Sequence, residues 1–311
     1  MIFCLRAMIV ALGFFGVVYC PISLVVVCLW RCARLLCHNS EIRLARLLFA
    51  VRIFPFVVSA FITLAFALPA FLLLERGAID EDTRTVVFSF CALVLLVGGL
   101  LRVALAQART SHLVAGWVEG AHALNADPTV AALQGRQCPP LLLYGVSTPR
   151  VLASESAVTL LSPDELRVAL RHEIGHMRSR DNLKKLLFYA ASFPGMAGLE
   201  RAWQKAAEFA ADEAAVSDSD DAVNLASALI KLADLARLQD LPAFTTGLVT
   251  CTALVSLRVH RLLDWKESSS RTMPRRRWSL LPLPLVVVSY TVAHYGQVLL
   301  FTHRFTEWFV H

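Results

Sequence analysis

Long stretches without a charged side chain constrain this chain more than any other feature. Ala7–Trp30, Ile53–Leu74 and Thr85–Leu101 contain no acidic or basic residue, and Trp278–His303 forms a fourth run, broken by Pro282 and Pro284. About 20 apolar residues in a helix cross the roughly 30 Å of a bilayer core, and a helix is one of only two structures that satisfy its backbone there. Four transmembrane helices are therefore expected. The third run is short, and Arg102 at its end can snorkel to the interface. Neighbouring helices can satisfy the groups that the prolines free in the fourth. The first run resembles a signal peptide, with Arg6 ahead of it. It is long enough to span and shows no small-residue cleavage pattern, so a retained helix is expected.

Composition agrees: 57% of the 311 residues are hydrophobic and 17% charged, whereas soluble domains are about 45–50% apolar and about 25% charged. The net charge of +6 sits beside the apolar runs. That placement speaks for membrane orientation and against nucleic acid, as does the lack of interleaved aromatic and basic residues. The eight cysteines are scattered without a Cys-x-x-Cys pair, so neither a disulfide framework nor a cysteine metal site is read.

The short loops orient the chain. Arg31, Arg34, Arg43, Arg46 and Arg52 face only Glu41 in the first, Glu75, Asp80, Glu81 and Asp82 dominate the second, and Arg271 and Arg275–Arg277 precede the fourth run. The positive-inside rule then makes the first loop and the region before the fourth run cytoplasmic, with both termini outside. The expected organisation is a multi-pass protein of a bacterial-type inner (cell) membrane. Residues 1–102 carry three spans (about 7–30, 53–74 and 85–101). Residues 103–277 form a cytoplasmic body, and 278–311 form the fourth span and a short outer tail.

Within the body, Arg102–Leu133 reads as helix and 141–161 as a short hairpin with strands near Leu141–Val146 and Arg150–Ala153. Ser162-Pro163-Asp164-Glu165 is a helix start, with a serine cap, proline at the first turn and a glutamate closing the box. Helix is expected through about Arg180, then over Asn182–Ser192, Met196–Val216 and Asp220–Leu238. The fold class is thus mainly α and membrane-integral, with helices and one small β-hairpin in the body.

The helix after Ser162 carries His172-Glu173-Ile174-Gly175-His176. Two histidines four apart share one helix face and can hold one tetrahedral zinc ion. Glu173 between them is placed as the catalytic base that deprotonates an activated water. Chance placement would give such a pattern on the order of 0.01 times in a chain of this composition. A third protein ligand is needed, and Glu208, among small alanines downstream, is the best candidate; Glu200, Glu213 and His260 are weaker ones. Asp212, one turn beyond Glu208, can orient a ligand histidine. Asp181 can do the same or be a plain helix-end charge. The apolar stretch Leu186–Leu199 is too short to span, so the histidines and Glu208 stay on one side of the membrane. Arg150, Val151 and Leu152 are expected to offer an exposed strand edge to an extended substrate, unless the hairpin is purely structural. His294 in the fourth run reads as a neutral residue hydrogen-bonded to a neighbouring helix.

In order, Pro149-Arg150-Val151-Leu152, Leu161–Leu166, His172–His176, Arg178–Asn182, Phe193-Pro194 and Glu208 with Asp212 resemble the BlaR/MecR-type membrane zinc metallopeptidases, over most of the chain. The resemblance implies a gluzincin-like peptidase domain facing the cytoplasm, one Zn2+, and a protein or peptide substrate such as a transcriptional repressor or the chain itself. The sequence reaches only His311 and shows no penicillin-binding sensor domain, so an antirepressor-like peptidase signalling with a separate sensor protein or the lipid bilayer is expected. The HtpX and CAAX prenyl-protease group shares both metal motifs and is the alternative, as quality-control peptidases. A non-catalytic signalling scaffold is the other.

Overall fold

The computed structural model describes residues 2–33, 41–74, 83–119, 122–123, 132–135, 138–236, 245–247, 252–265 and 295–310. Three described helices are long and apolar enough to cross a membrane, over Cys4–Cys32, Leu44–Leu73 and Thr85–Val118, which marks the chain as a membrane protein. Most of the fourth run, with His294, lies outside the described residues. The chain forms two compact units: Met1–Leu35, Ile53–Gly98 and Ser270–His311 in the first, Leu36–Arg52 and Gly99–Ser269 in the second.

The first unit holds α1 (Ile2–Ala33), the later part of α2 (Glu41–Ile62), α3 (Leu68–Leu74) and the early part of α4 (Thr83–Val118). Gly16 of α1 lets α4 come close: a Cβ there would lie 2.8 Å from Phe88 O. Ser89 Oγ donates to Ile9 O across the same seam at 2.6 Å. Between α2 and α3 the helix widens into a π-turn over Thr63–Ala67. Pro69 has no N–H for the carbonyl four residues back, which is that of Ala65. Tyr295 Oη, from α11 (Tyr295–Val310), donates to Ala65 O at 2.9 Å instead. A neighbouring side chain thus satisfies the carbonyl that proline leaves open, as an apolar environment demands.

The second unit carries the body. Among the described residues its sheet has five strands, β1 (His122–Ala123), β2 (Ala132–Gly135), β3 (Leu141–Tyr144), β4 (Arg150–Ser154) and β5 (Thr245–Gly247), in the order β1-β2-β4-β3-β5. Only the β2–β4 pair is parallel. The expected hairpin is the β3–β4 pair, turned at Gly145 with φ of 91°. Two expectations change here. The helix read over Arg102–Leu133 ends at Val118, and Ala132–Gly135 is a strand. Strand β4 is no edge: Val151 and Leu152 face Ala132 and Leu133 on one side and Leu143 and Leu142 on the other. Its short apolar run reads equally well as hairpin edge or buried centre, and the partner that decides is distant in sequence. Val151 and Leu152 therefore have no open backbone edge to offer a substrate, while Arg150, at the start of the strand, is paired with Tyr144 of β3.

Helix α5 (Glu155–Leu160) leads into α6 (Pro163–Ser179), followed by α7 (Asp181–Ala190), α8 (Ala197–Ala215), α9 (Ser219–Ala236) and α10 (Thr252–Leu263). The core joins Leu141, Val151 and Ala153 of the sheet to Val168, Ala169, Leu225, Leu229 and Leu232 of α6 and α9. The capping box at α6 is complete: Glu165 N–H donates to Ser162 Oγ at 3.2 Å and Ser162 N–H to Glu165 Oε2 at 2.8 Å. Glu165 also accepts from Ser227 Oγ at 2.5 Å and Lys231 Nζ at 2.7 Å, which ties the start of α6 to α9.

Removing the cap with Ser162→Ala is expected to lower unfolding stability by about 1 kcal/mol, measured by thermal or chemical unfolding in detergent. Burial raises the Glu165 carboxyl, but hydrogen bonds from Lys231, Ser227 and the Ser162 N–H with the Lys231 charge outweigh it and lower the pKa. A carboxyl lowered on folding contributes stability above its unfolded pKa and loses it as pH falls through the folded value. Stability is expected to decline with acid below about pH 4.5, and less steeply in Glu165→Gln.

Candidate metal centre

The site is built where α6 crosses α8. Gly175 on α6 faces Ala211 on α8 at close range: a Cβ there would be in van der Waals contact, 3.4 Å from Ala211 Cα and 3.5 Å from its Cβ. One residue away along α6 is His176, and one turn from it His172. Ala211 likewise sits between Glu208 and Asp212. The close approach at two small residues brings the larger donors together.

His172 Nε2 and His176 Nε2 lie 3.1 Å apart, Glu208 Oε2 is 3.6 Å from His172 Nε2, and Glu208 Oε1 is 3.8 Å from His176 Nε2. All three residues are buried, and their donor atoms fall within 4.8 Å of one another. With ligand bonds of about 2.1 Å, tetrahedral neighbours sit roughly 3.4 Å apart, so the set fits one divalent cation. The far ring nitrogens are held too. Asp212 Oδ1 lies 3.0 Å from His172 Nδ1, and Asp181 Oδ2 lies 2.7 Å from His176 Nδ1. With each carboxylate accepting the Nδ1 proton of its histidine, both Nε2 atoms face one point, where a bound cation would displace the Nε2 proton that His176 otherwise holds.

Asp181 reaches His176 through a sharp corner. Arg180 closes α6 in the left-handed region, with φ 54° and ψ 44°, and α7 begins at the next residue. A non-glycine residue there stores strain; here the fold folds α7 back so that its first carboxylate meets the last histidine of α6.

Arg258, on α10, escaped the sequence reading. It is fully buried, donating from Nε and Nη2 to Asp212 at 2.8 and 2.5 Å and from Nη1 to Glu208 Oε2 at 3.0 Å. Nη2 also comes within 3.4 Å of His172 Nε2. It compensates two carboxylates that burial alone would neutralise: despite burial, the Arg258 charge holds Glu208 well below the usual carboxylate range and lowers Asp212. No motif flags it, because it comes from a helix 50 residues beyond Glu208. His260, two residues on, is exposed, as is Glu213. Glu200 pairs with Arg52. None of these three joins the cluster.

Glu173 is fully buried, and neither carboxylate oxygen has a hydrogen-bond partner among the described residues. Burial pushes its pKa up to about 7, with the Glu208 charge adding and His172, His176 and Arg258 opposing. Burial favours neutral His176, but Asp181 and Glu208 outweigh it and raise its pKa to about 10. Lys185, one turn beyond Asp181, donates from Nζ to Thr245 O at 2.5 Å and so fixes β5 to α7.

No protein-family model matches the chain, and no curated protein matches it. The geometry itself therefore carries the functional argument. Purified protein is expected to bind one divalent metal ion per chain by elemental analysis, with His172→Ala or Glu208→Ala losing it. Asp181→Ala or Asp212→Ala should keep the metal with affinity reduced about 10- to 100-fold.

Proposed function

We propose that this chain is an integral-membrane zinc metalloendopeptidase, of the BlaR/MecR type, cutting a cytoplasmic or membrane-proximal protein in regulatory signalling. The observation that carries the reading is Glu173: a buried carboxylate with both oxygens unpartnered among the described residues, on the same helix as two histidines whose Nε2 atoms converge with Glu208. A structural glutamate in that position would leave a costly group unsatisfied. A general base that meets a water and a substrate amine does not.

His172, His176 and Glu208 would hold the ion, and zinc so bound would supply a Lewis acid and lower the pKa of a water toward neutrality. Glu173 takes the proton of the attacking water and returns it to the leaving amine, a role suited to a carboxyl whose pKa lies at about 7. Arg258, with Nη2 beside His172, can donate hydrogen bonds to an oxyanion at the scissile carbonyl.

The chain between His176 and Glu208 also favours this reading. It consists of α7, a turn at Pro194-Gly195 and the start of α8, with no candidate membrane span. The HtpX and CAAX prenyl-protease arrangement places membrane helices there. Because β4 is paired on both sides, an extended substrate is assigned to the β5 side of the sheet, the outermost strand beside α6 and α7. Repressor cleavage and self-cleavage are the substrate readings, with a sensor on another protein or in the bilayer.

Glu173→Gln tests the chemistry separately from the metal. It should retain zinc while proteolysis falls by about 10²- to 10⁴-fold. New protein N-termini in membranes and cytosol of cells expressing wild type should be missing with the variant. An identical set of termini from both would sink the peptidase reading in favour of a signalling scaffold.

A further inference from the structure

Away from the ligands, the corner between α7 and α8 is held by a residue of another element. Arg52 on α2 is fully buried. Its Nη1 and Nη2 donate to Ala191 O at 3.0 Å and Phe188 O at 3.2 Å, among the last carbonyls of α7. Its Nε donates to Glu200 Oε1 at 2.8 Å in the first turn of α8. The guanidinium lies 5.2 Å from the Phe188 ring centre, and that ring packs edge-on against Trp203 of α8. A single cation thus closes the carbonyl end of one helix and grips the start of the next.

The same corner meets α4. Gly99 passes so close to Ala190 O that any Cβ there would collide with it. Arg52, Gly99, α7 and α8 all belong to the second compact unit, and α2 and α4 are also candidate membrane spans.

Each helix leaving the corner ends at the metal centre. Helix α7 begins at Asp181, which holds His176, and α8 carries Glu208 roughly 12 Å beyond Glu200. Burying an arginine is costly even when it is paired, and an apolar side chain could pack α2 on Phe188 without that cost. Packing alone does not explain the charge; fixing two helix ends to one point does.

We propose that Arg52 is a positioning residue for the metal centre, and that the α7–α8 corner gripped by Arg52 and met by Gly99 is where α2 and α4 set the spacing between the His176–Asp181 pair and Glu208. The proposal rests on reading His172, His176 and Glu208 as a metal site. It makes movement of either helix a way of tuning the site without touching a ligand.

The test measures zinc affinity of the full chain in detergent, by competition with a chromophoric chelator, together with melting temperature. Arg52→Met and Gly99→Ala are expected to weaken zinc about tenfold, and Arg52→Lys, which keeps the cation, to restore most of that loss. Ser154→Ala, which removes the acceptor of the Ala157 N–H at the start of α5, serves as the control that lowers the melting temperature without moving zinc affinity. Wild-type zinc affinity in Arg52→Met, with only a lowered melting temperature, would overturn the positioning role and leave a plain structural anchor. If Arg52→Met does not fold, unchanged affinity in Gly99→Ala has the same force. A wild type that binds no zinc overturns the metal reading itself, which separates the two failures.

Discussion

Gly175 lets α6 settle on α8 until the backbone of Ala211 is in van der Waals contact, and the site depends on that approach. A Cβ at Gly175 would only just touch Ala211, so the helices meet at two small residues while His172, His176 and Glu208 converge beside them. The approach is secured from the far end of α6 as well. Its start is bound to α9 through Glu165, with Ser227 and Lys231, so the helix is fixed along its length before any ligand is considered.

Bringing those helices together also concentrates charge. Glu173, Glu208, Asp212 and Asp181 are all buried around two imidazoles. Carboxylates in such a place are tolerated only when paired. Arg258 pairs with two, each histidine receives one at its far nitrogen, and Lys184 bonds Asp181 at 2.7 Å. Glu173 alone among them has no such partner among the described residues. Three of the four carboxylates are anchored and Glu173 is not, which is what the proposed role of a base asks of it.

In the apolar helices, the same accounting of polar groups explains irregularities that look accidental. Pro69 frees the carbonyl of Ala65, and Tyr295 supplies the missing donor. Arg52 lies in a helix apolar enough to span yet is wholly spent on carbonyls and a carboxylate. Its charge belongs to the interior of the second unit rather than to a loop, so it drops out of the charge count on which the expected orientation was based.

What the sequence determined by itself was local. Uncharged runs longer than about 17 residues, a serine–glutamate box and two histidines four apart on one helix are all properties of near neighbours, and short-range geometry makes them legible. Glu208 with Asp212 was legible for the same reason, as a pair one turn apart. Tertiary structure alone decided which strands border β4, that Arg180 turns left-handed to bring Asp181 onto His176, and that Arg258 and Arg52 enter from α10 and α2. Each of those joins residues whose separation along the chain carries no periodic signal; only packing, which pairs a buried charge with whatever partner the fold delivers, could choose them.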